Sequence, residues 1–490
     1  MNYCTPEAVG ISSADVLKFY QKLDERCLST HDVIIARGND IFTETYYAPF
    51  HKDFLHRMYS VSKSFVSIAI GFCEQEGLLS LDDPFSKYFA EYITPEISEK
   101  VTDMTLREML RMETGRAVAS NWFDTVKDDR CKTYMEISEY KYPNTLFDYD
   151  SSGSFMLGAV VQKVTGKPFL EYLKDKVLRD IGFSEEAHCL EVPGGHSWGD
   201  SAVLCTARDL MLFARFVLNG GTWNGKRYLN EKYIREATAT VICNNPYGFD
   251  TPSGHGYGYQ FWGLPHGCFA MFGMGIQLAV CDPTHDLVFV INSDNQGNPL
   301  TYAPIVYAFY DYIFDRIGEN PLPEDAAAYK QLCDYTSTRK LFTLRGPTAS
   351  DFSTKIAGKT YHAEKNPMGI QWFRLEFEGD EGVFHYENAQ GVKALRLGFG
   401  HNTFQKFPQS GYSDAVGGQD APGHLYDCAV SADWPEVQKL RVRVQIIDEY
   451  FGNLSILFGF RDADHVSVRM EKCAEDFLQE YTGWMNAKAE

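Results

Sequence analysis

Residues 57–77 read RMYSVSKSFVSIAIGFCEQEG, and the rest of the chain is organised around this stretch. It contains a serine, Ser60, and three residues later a lysine, Lys63. Apolar residues follow at helical spacing, at Phe65, Ile68, Ala69 and Phe72. Gly77 is a helix stop signal. The pattern predicts a buried helix that begins near Ser60, with Lys63 on the same face one turn later.

This spacing suits nucleophilic catalysis. A serine hydroxyl is a poor nucleophile until a base takes its proton, and a neutral lysine amine can do so. The apolar surroundings of a helix start disfavour the charged form of the amine. The backbone N–H of Ser60 belongs to the first helical turn, where N–H groups have no helical partner, so it can face a developing oxyanion. Ser60 is therefore the predicted nucleophile and Lys63 its base.

The segment YSVSKSF, residues 59–65, resembles the nucleophile motif of the serine β-lactamase and penicillin-binding-protein superfamily, in its class C β-lactamase and esterase branch. In that family the serine of the SxxK motif is acylated and the lysine is its base. The resemblance extends over about residues 7–320. It implies an α+β fold with a β-lactamase-like catalytic domain, in which helices flank an antiparallel sheet and form a helical subdomain.

A second motif, Tyr149-Asp150-Ser151, precedes a predicted helix. A Ser–Lys pair needs a group that returns the proton to the leaving atom. The motif matches the Tyr-x-Asn or Tyr-x-Ser motif of the family, and GSFMLGAVVQKVTG matches the segment that follows it there. The resemblance implies that Tyr149 shares the acid–base work with Lys63 and that Ser151 faces the substrate.

The third motif departs from the family. The resemblance places Lys-Thr-Gly or His-x-Gly on a strand beside the nucleophile, about eleven residues before an Asp-Pro turn. Counting back from Asp282-Pro283 gives Met271-Phe272-Gly273, so the glycine is present but the cation and the hydroxyl are missing. His266 lies five residues too early to replace them.

This departure has a chemical consequence. Methionine and phenylalanine bind no substrate carboxylate, so Met271 and Phe272 predict a site for neutral or hydrophobic esters or amides rather than carboxylate-bearing β-lactams. The oxyanion hole needs only backbone N–H groups, and those of Ser60 and Met274 are the predicted donors. Gly273 allows the close backbone approach that such a site requires.

Length, charge and cysteine spacing narrow the class of protein. A chain of 490 residues is long enough for two or three domains. The net charge of −20 argues against nucleic acid or an anionic membrane as a partner. The first sixteen residues show no secretory signal pattern, and the twelve cysteines lack CxxC spacing. We therefore expect a cytoplasmic protein that uses no metal or other cofactor and acts on a small molecule.

Composition also predicts the domain organisation. We expect a catalytic domain over residues 1–335, a polar linker over 336–355 and a C-terminal antiparallel β domain over 356–490. The C-terminal region carries several short period-2 segments, which indicate a barrel or a sandwich, and it resembles the lipocalin-like domain appended to some family members. A short helix is predicted near residues 474–481. The irregular segment 116–147 is either a site-lining segment or a surface loop.

Alternative functions remain open from the sequence. Gly199-Asp-Ser201 with Asp282-x-x-His285 imitates the motifs of SGNH esterases. We discount it, because the serine follows Pro-Gly-Gly-His and the histidine falls in a predicted hairpin turn. The main prediction is a serine hydrolase of the carboxylesterase or D-amino-acid amidase or peptidase type, working through an acyl-enzyme on Ser60. The alternatives are a non-hydrolytic penicillin-binding-like sensor or pseudoenzyme, or a weak β-lactamase.

Overall fold

The structure is a computed structural model of the chain, and it describes residues 1–115, 129–136, 141–298, 300–410, 425–474, 478 and 480–490. The chain divides into two compact units, Met1–Lys340 and Leu341–Glu490. No helix in the described part of the chain is both long and apolar enough to cross a membrane.

The N-terminal unit is built on a mixed sheet, seven-stranded over the described residues. Its strands are β1 (Asn2–Tyr3), β2 (Thr30–Arg37), β3 (Asp40–Tyr46), β4 (Trp262–Gly263), β5 (Phe269–Gly273), β6 (Gln277–Asp282) and β7 (Leu287–Ser293). The order across the sheet is β1-β3-β2-β7-β6-β5-β4, and only the β1–β3 pair is parallel. The chain therefore leaves the sheet after β3 and returns at β4, and the intervening residues carry the first two predicted motifs.

Helices cover both faces of this sheet. The principal ones are α1 (Ser13–Glu25), α2 (Ser62–Gln75), α3 (Leu106–Leu110), α4 (Arg130–Glu136), α5 (Ser151–Thr165), α6 (Phe169–Leu173), α7 (Ala207–Leu218), α8 (Glu231–Thr238), α9 (Tyr302–Phe309) and α10 (Ala326–Thr336). On one face Phe289 of β7 packs between Phe19 of α1 and Phe309 of α9, with ring centroids 5.5 and 5.1 Å away. On the other face α7 lies against the sheet and stacks on α2 through Phe213 and Phe65, 3.8 Å apart.

Several local features form between residues that are close in the sequence. Ser12 caps α1, because its side chain accepts a hydrogen bond from the backbone N–H of Asp15 at 3.1 Å. Thr105 forms a reciprocal capping box with Glu108 at the start of α3. The strands on either side of Gly38, β2 and β3, pair as an antiparallel hairpin. These features depend on residues a few positions apart, so the sequence is sufficient to predict them.

The C-terminal unit is a closed β-barrel, which resolves the choice between barrel and sandwich. Its strands are β8 (Thr360–Ala363), β9 (Trp372–Glu378), β10 (Glu381–Asn388), β11 (Gly391–Phe399), β12 (Thr403–Lys406), β13 (Asp427–Glu436), β14 (Lys439–Ile447), β15 (Phe451–Phe460), β16 (His465–Cys473) and β17 (Gly483–Ala489). Strands run in the order β11-β10-β9-β8-β17-β16-β15-β14-β13-β12, and a parallel β11–β13 pairing closes the barrel. Phe373, Phe384 and Phe458 pack together inside it, with ring centroids 5.2–5.8 Å apart.

Most of the segment predicted as a linker, 336–355, belongs to the C-terminal unit. Leu344 N–H donates to Ser431 Oγ at 3.1 Å, and Gly346 N–H donates to Asp433 Oδ2 at 2.8 Å. Trp434 N–H in turn donates to the Pro347 carbonyl at 2.8 Å. The segment is bound to the barrel partly by side chains of β13 and does not pair as a strand. Its sequence therefore lacks the period-2 pattern of a strand.

Two other predicted segments lie partly outside the described residues. Within 116–147, residues 116–128 and 137–140 are not described; between them α4 buries Tyr134 completely. The predicted helix near 474–481 includes residues 475–477 and 479, which are also not described. The final strand β17 was not predicted, and its inward positions include alanines, which have weak strand propensity.

Candidate active site

Ser60 lies in a 3₁₀ turn, Tyr59–Val61, that leads directly into α2. Tyr59 has φ of 46°, a left-handed backbone conformation that residues with a side chain rarely adopt. Such a conformation costs about 1–3 kcal/mol and persists only where surrounding contacts hold it. Arg57 supplies one such contact, because its buried guanidinium lies 4.5 Å from the centroid of the Tyr59 ring. The serine is thus held on a tight turn rather than within a regular helix.

Lys63 contacts Ser60 directly, as the three-residue spacing predicts. Its Nζ donates a hydrogen bond to Ser60 Oγ at 2.9 Å and another to the Asp200 backbone carbonyl at 2.7 Å. The lysine is only 2% exposed, and among the described residues no carboxylate lies within 4 Å of its Nζ. Both hydrogen-bond acceptors are uncharged oxygens, one of a side-chain hydroxyl and one of a backbone carbonyl.

The loop that supplies the Asp200 carbonyl was not identified from the sequence as part of the site. Met58 N–H donates to the Val203 carbonyl at 2.8 Å, and Val203 N–H donates to Ser62 Oγ at 3.0 Å. A side-chain carbon built onto Gly199 would lie 3.0 Å from Val66 Cγ2 of α2, so the loop approaches the helix closely. No signal in the sequence could have indicated the Asp200 contact, since every residue carries a backbone carbonyl.

Tyr149 is brought to the pair by the start of α5. Asp150 caps this helix by accepting a hydrogen bond from Gly153 N–H at 3.0 Å, and Thr114 Oγ1 donates to the same carboxylate at 3.0 Å. The Tyr149 ring centroid lies 5.1 Å from Lys63 Nζ. Ser151, the first residue of α5, is 4% exposed. The structure therefore brings the second motif to the first; the roles of Tyr149 and Ser151 stay predictions.

A cluster of aromatic rings surrounds Tyr149. Trp262 of β4 stacks on it with centroids 5.5 Å apart and an interplanar angle of 27°. Phe147 and Tyr257 contact Trp262 at 6.1 and 5.0 Å. Burial raises the pKa of Tyr257 well above its ordinary value, so this phenol keeps its proton. Tyr149 is the partly exposed phenol of the two, and it is the one that lies beside Lys63.

The end of strand β5 touches the nucleophile turn, as the counting from Asp282-Pro283 predicts. A side-chain carbon built onto Gly273 would lie 2.4 Å from the Met58 carbonyl oxygen and 3.2 Å from Ser60 N. Only glycine allows the strand to approach the serine this closely. Met274 follows in the turn between β5 and β6. Its N–H therefore lies in the chain segment next to Ser60, and the oxyanion hole formed by these two residues stays a prediction.

The two residues before Gly273 have different surroundings. Met271 is fully buried, on the same face of β5 as Gly273. Phe272 points to the other face and is partly exposed, with Tyr302 at 4.4 Å and Trp262 at 6.4 Å between ring centroids. Neither side chain brings a charge to the strand, and their contact with a substrate stays a prediction.

A residue that sequence reasoning missed, Gln260, connects the helices behind the site. Its backbone carbonyl accepts from Ser64 Oγ of α2 at 2.7 Å, and its Oε1 accepts from Ser154 Oγ of α5 at 2.7 Å. Its Nε2 donates to the Leu110 carbonyl of α3 at 2.8 Å. Gln260 is 2% exposed, and the only sequence signal was an isolated amide within the aromatic segment YGYQFWG.

Comparison with known proteins identifies the family of the chain. The model of the Beta-lactamase family matches residues 21–306, which is more than half of the chain. The chain therefore belongs to the Beta-lactamase family, a family of hydrolases.

Particular relatives extend the comparison. The 6-aminohexanoate-dimer hydrolase of Paenarthrobacter ureafaciens is 25% identical over 295 residues, covering 55% of this chain and 73% of that protein. EstCE1, described as a hydrolase with promiscuous acyltransferase activity, superposes with a TM-score of 0.51 and 15% identity, over 61% of this chain and 99% of its own. SurE gives a TM-score of 0.50 and 15% identity, over 89% of this chain and 95% of its own. At these identities the two structures show a shared fold.

Proposed function

We propose that the protein is a serine hydrolase that cleaves a neutral ester or amide through an acyl-enzyme on Ser60. The observation that carries the proposal is the 2.9 Å hydrogen bond from Lys63 Nζ to Ser60 Oγ, made by a buried lysine whose two acceptors are uncharged. This is the arrangement in which a nucleophile and its base lie within hydrogen-bond reach.

Acylation follows from these positions. Ser60 Oγ attacks the substrate carbonyl carbon and transfers its proton to the neutral amine of Lys63. The carbonyl oxygen becomes an oxyanion, which the N–H groups of Ser60 and Met274 stabilise. The C–O or C–N bond then breaks, and the leaving group takes a proton through Lys63 and Tyr149, whose ring lies 5.1 Å from the amine. The products of this half-reaction are an alcohol or amine and an ester of Ser60.

Deacylation reverses the proton transfers. A water molecule takes the place of the leaving group, and the Lys63–Tyr149 pair accepts one of its protons as its oxygen attacks the Ser60 ester. The second tetrahedral intermediate collapses to a carboxylic acid, and Ser60 Oγ recovers its proton. Carboxylesterase and D-amino-acid amidase or peptidase reactions share both half-reactions and differ only in the group attached to the carbonyl.

The preference for neutral substrates rests on the third motif and on the aromatic cluster. Met271 and Phe272 provide no cation for a substrate carboxylate. The partly exposed rings of Tyr149, which lies beside Lys63, and of Trp262 favour apolar groups. Leu146, next in sequence to Phe147 of the aromatic cluster, is 67% exposed, which adds apolar surface near the site. The names of the 6-aminohexanoate-dimer hydrolase and of EstCE1 support hydrolysis as the reaction.

The test is intact mass after incubation with a fluorophosphonate, which acts on an activated serine. We expect one adduct on the unmodified protein, none on Ser60→Ala, and one on the control Ser201→Ala. A parallel assay follows hydrolysis of p-nitrophenyl esters by the same three proteins. An adduct that persists on Ser60→Ala overturns the assignment of the nucleophile, and labelling without turnover of any ester or amide would favour the sensor or pseudoenzyme.

A further inference from the structure

We propose that Trp262 is a positioning residue that holds the Tyr149 phenol beside Lys63. This inference rests on the proposed function, because it assigns a role to a residue that supports the proton-transfer group. Trp262 lies on β4, over 110 residues after Tyr149 in the chain, and nothing in its sequence neighbourhood relates it to the Tyr149 motif.

The first step of the argument is the contact between the two rings. The Trp262 and Tyr149 rings are 5.5 Å apart between centroids, with an interplanar angle of 27°. Offset stacking of this kind is worth about 0.5–1.5 kcal/mol beyond the area that it buries. Tyr149 is partly exposed and precedes α5 rather than lying within it, so its backbone alone does not determine where its ring points. A stacked partner restricts that freedom.

The second step is that Trp262 is itself held on several sides. Tyr257 meets it nearly edge-on, at 5.0 Å and 85°, and is fully buried. Phe147 and Phe272 meet it at 6.1 Å and 6.4 Å, with angles of 70° and 80°. The backbone of Trp262 pairs with Ala270 of β5. An indole held in this way is a fixed surface for Tyr149 rather than a mobile one.

The third step connects this surface to the nucleophile. Strand β5, which pairs with Trp262, ends at Gly273, and a carbon built onto Gly273 would lie 3.2 Å from Ser60 N. Trp262 therefore holds the Tyr149 ring in a fixed position relative to the strand that adjoins Ser60. The Lys63 amine lies 5.1 Å from the Tyr149 centroid, so a displaced ring changes the path of the proton between them. Displacements of about 1 Å in a catalytic group can cost up to roughly 10²-fold in rate.

The experiment is a double-mutant cycle between Trp262 and Tyr149, measured as kcat/KM for a p-nitrophenyl ester across pH. We expect Trp262→Leu to lower kcat/KM by about 10-fold or more in the otherwise unmodified protein and to alter the pH profile, since a misplaced phenol transfers protons less effectively. In the Tyr149→Phe variant the same substitution should have little further effect. Trp262→Phe, which keeps a ring in the cluster, should restore most of the activity.

Two controls separate positioning from packing. Phe261→Leu removes the buried ring of the residue next to Trp262, which packs on Phe269 at 5.9 Å rather than on the Tyr149 ring, and it should leave the pH profile unchanged. Trp262→Met, which keeps apolar volume but no ring, is run through the same cycle so that the result does not depend on whether the leucine variant folds. Each variant is also assayed for fluorophosphonate labelling of Ser60.

The outcomes distinguish this inference from the proposed function. If replacing Trp262 causes an equal loss with Tyr149 intact and in the Tyr149→Phe variant, while Ser60 is labelled normally, the inference alone is overturned. The same loss and the same change in the pH profile for Phe261→Leu also overturn it, because general packing then explains the effect. Absence of Ser60 labelling in the unmodified protein overturns the proposed function instead.

Discussion

Two sets of polar residues in this chain look like parts of a serine-hydrolase site, and their surroundings are different. Ser60 lies on a strained turn, and the buried Lys63, on the helix that follows, hydrogen-bonds to two uncharged oxygens. Asp282 and His285 contact each other at 2.7 Å between Oδ2 and Nδ1, and Asp282 also accepts from Thr284 N–H at 2.8 Å. Asp282 and His285 belong to a turn that satisfies its own hydrogen bonds. The arrangement of Ser60 and Lys63 instead leaves the serine hydroxyl available for chemistry.

The structure also separates Ser201 from Asp282 and His285, the residues with which it imitates an SGNH esterase motif. Ser201 Oγ accepts a hydrogen bond from Arg57 at 3.2 Å, in the loop that adjoins the nucleophile turn. Asp282 lies at the opposite end of β6 from Gln277, which pairs with Gly273 beside Ser60. Five residues of strand span about 17 Å. Ser201 therefore lies near the end of the sheet that carries Gly273, and His285 lies near the other end. Residue types that match a motif do not by themselves define a site.

The sharpest test of this comparison is loss of each serine. Ser60→Ala should lower kcat for p-nitrophenyl ester hydrolysis by on the order of 10⁴-fold or more, since loss of a nucleophile removes the acyl-enzyme route. Ser201→Ala should keep activity near that of the unmodified protein. Steady-state kinetics on both variants decide the matter, and near-normal turnover by Ser60→Ala would reverse the assignment.

The next test concerns proton transfer. Lys63→Ala and Tyr149→Phe should each lower kcat/KM by about 10²-fold or more, because each removes a general acid–base group. The double variant should lose little more than the worse single variant, since residues acting as a unit are not additive. His285→Ala is the matched control and should have no effect on kcat/KM. Losses that simply multiply would show that Lys63 and Tyr149 act independently.

Substrate charge gives the third test. A buried carboxylate without a cationic partner carries a penalty of several kcal/mol, so kcat/KM should favour neutral short-chain esters over benzylpenicillin by about 10²-fold or more. Met271→Lys should narrow this difference, and Met271→Leu should not. Because Met271 is fully buried, thermal unfolding of both variants should be measured alongside the kinetics. Efficient penicillin hydrolysis by the unmodified protein would contradict the predicted preference.

The smallest effect is expected at the hairpin turn. Asp282→Ala removes the acceptor for Thr284 N–H and the His285 side chain, and it should lower the free energy of unfolding by about 1–3 kcal/mol. Activity per folded molecule should not change. Chemical denaturation with a parallel ester assay measures both quantities, and His285→Ala serves as a partial removal of the same contacts. A large loss of kcat at unchanged stability would give this turn a catalytic role.

Local features of the site were predictable from the sequence. The Ser60–Lys63 contact follows from a separation of three residues on a helical turn, a distance that backbone geometry determines. The capping box between Thr105 and Glu108 likewise joins residues three positions apart. The family resemblance aligned Gly273 with the glycine of the third motif, on the strand beside the nucleophile. The structure places this glycine against Ser60.

Other features depended on tertiary structure. Asp200 contributes a backbone carbonyl, which carries no signature in the sequence, from a loop 137 residues beyond Lys63. Gln260 and Trp262 make contacts that form only when α2, α5 and β4 pack together. Segment 341–355 looked like a linker because its bonds to the barrel run through Ser431 and Asp433. Short-range hydrogen bonding and periodicity are encoded over a few residues, whereas these contacts depend on how distant elements pack, and only the folded chain determines that.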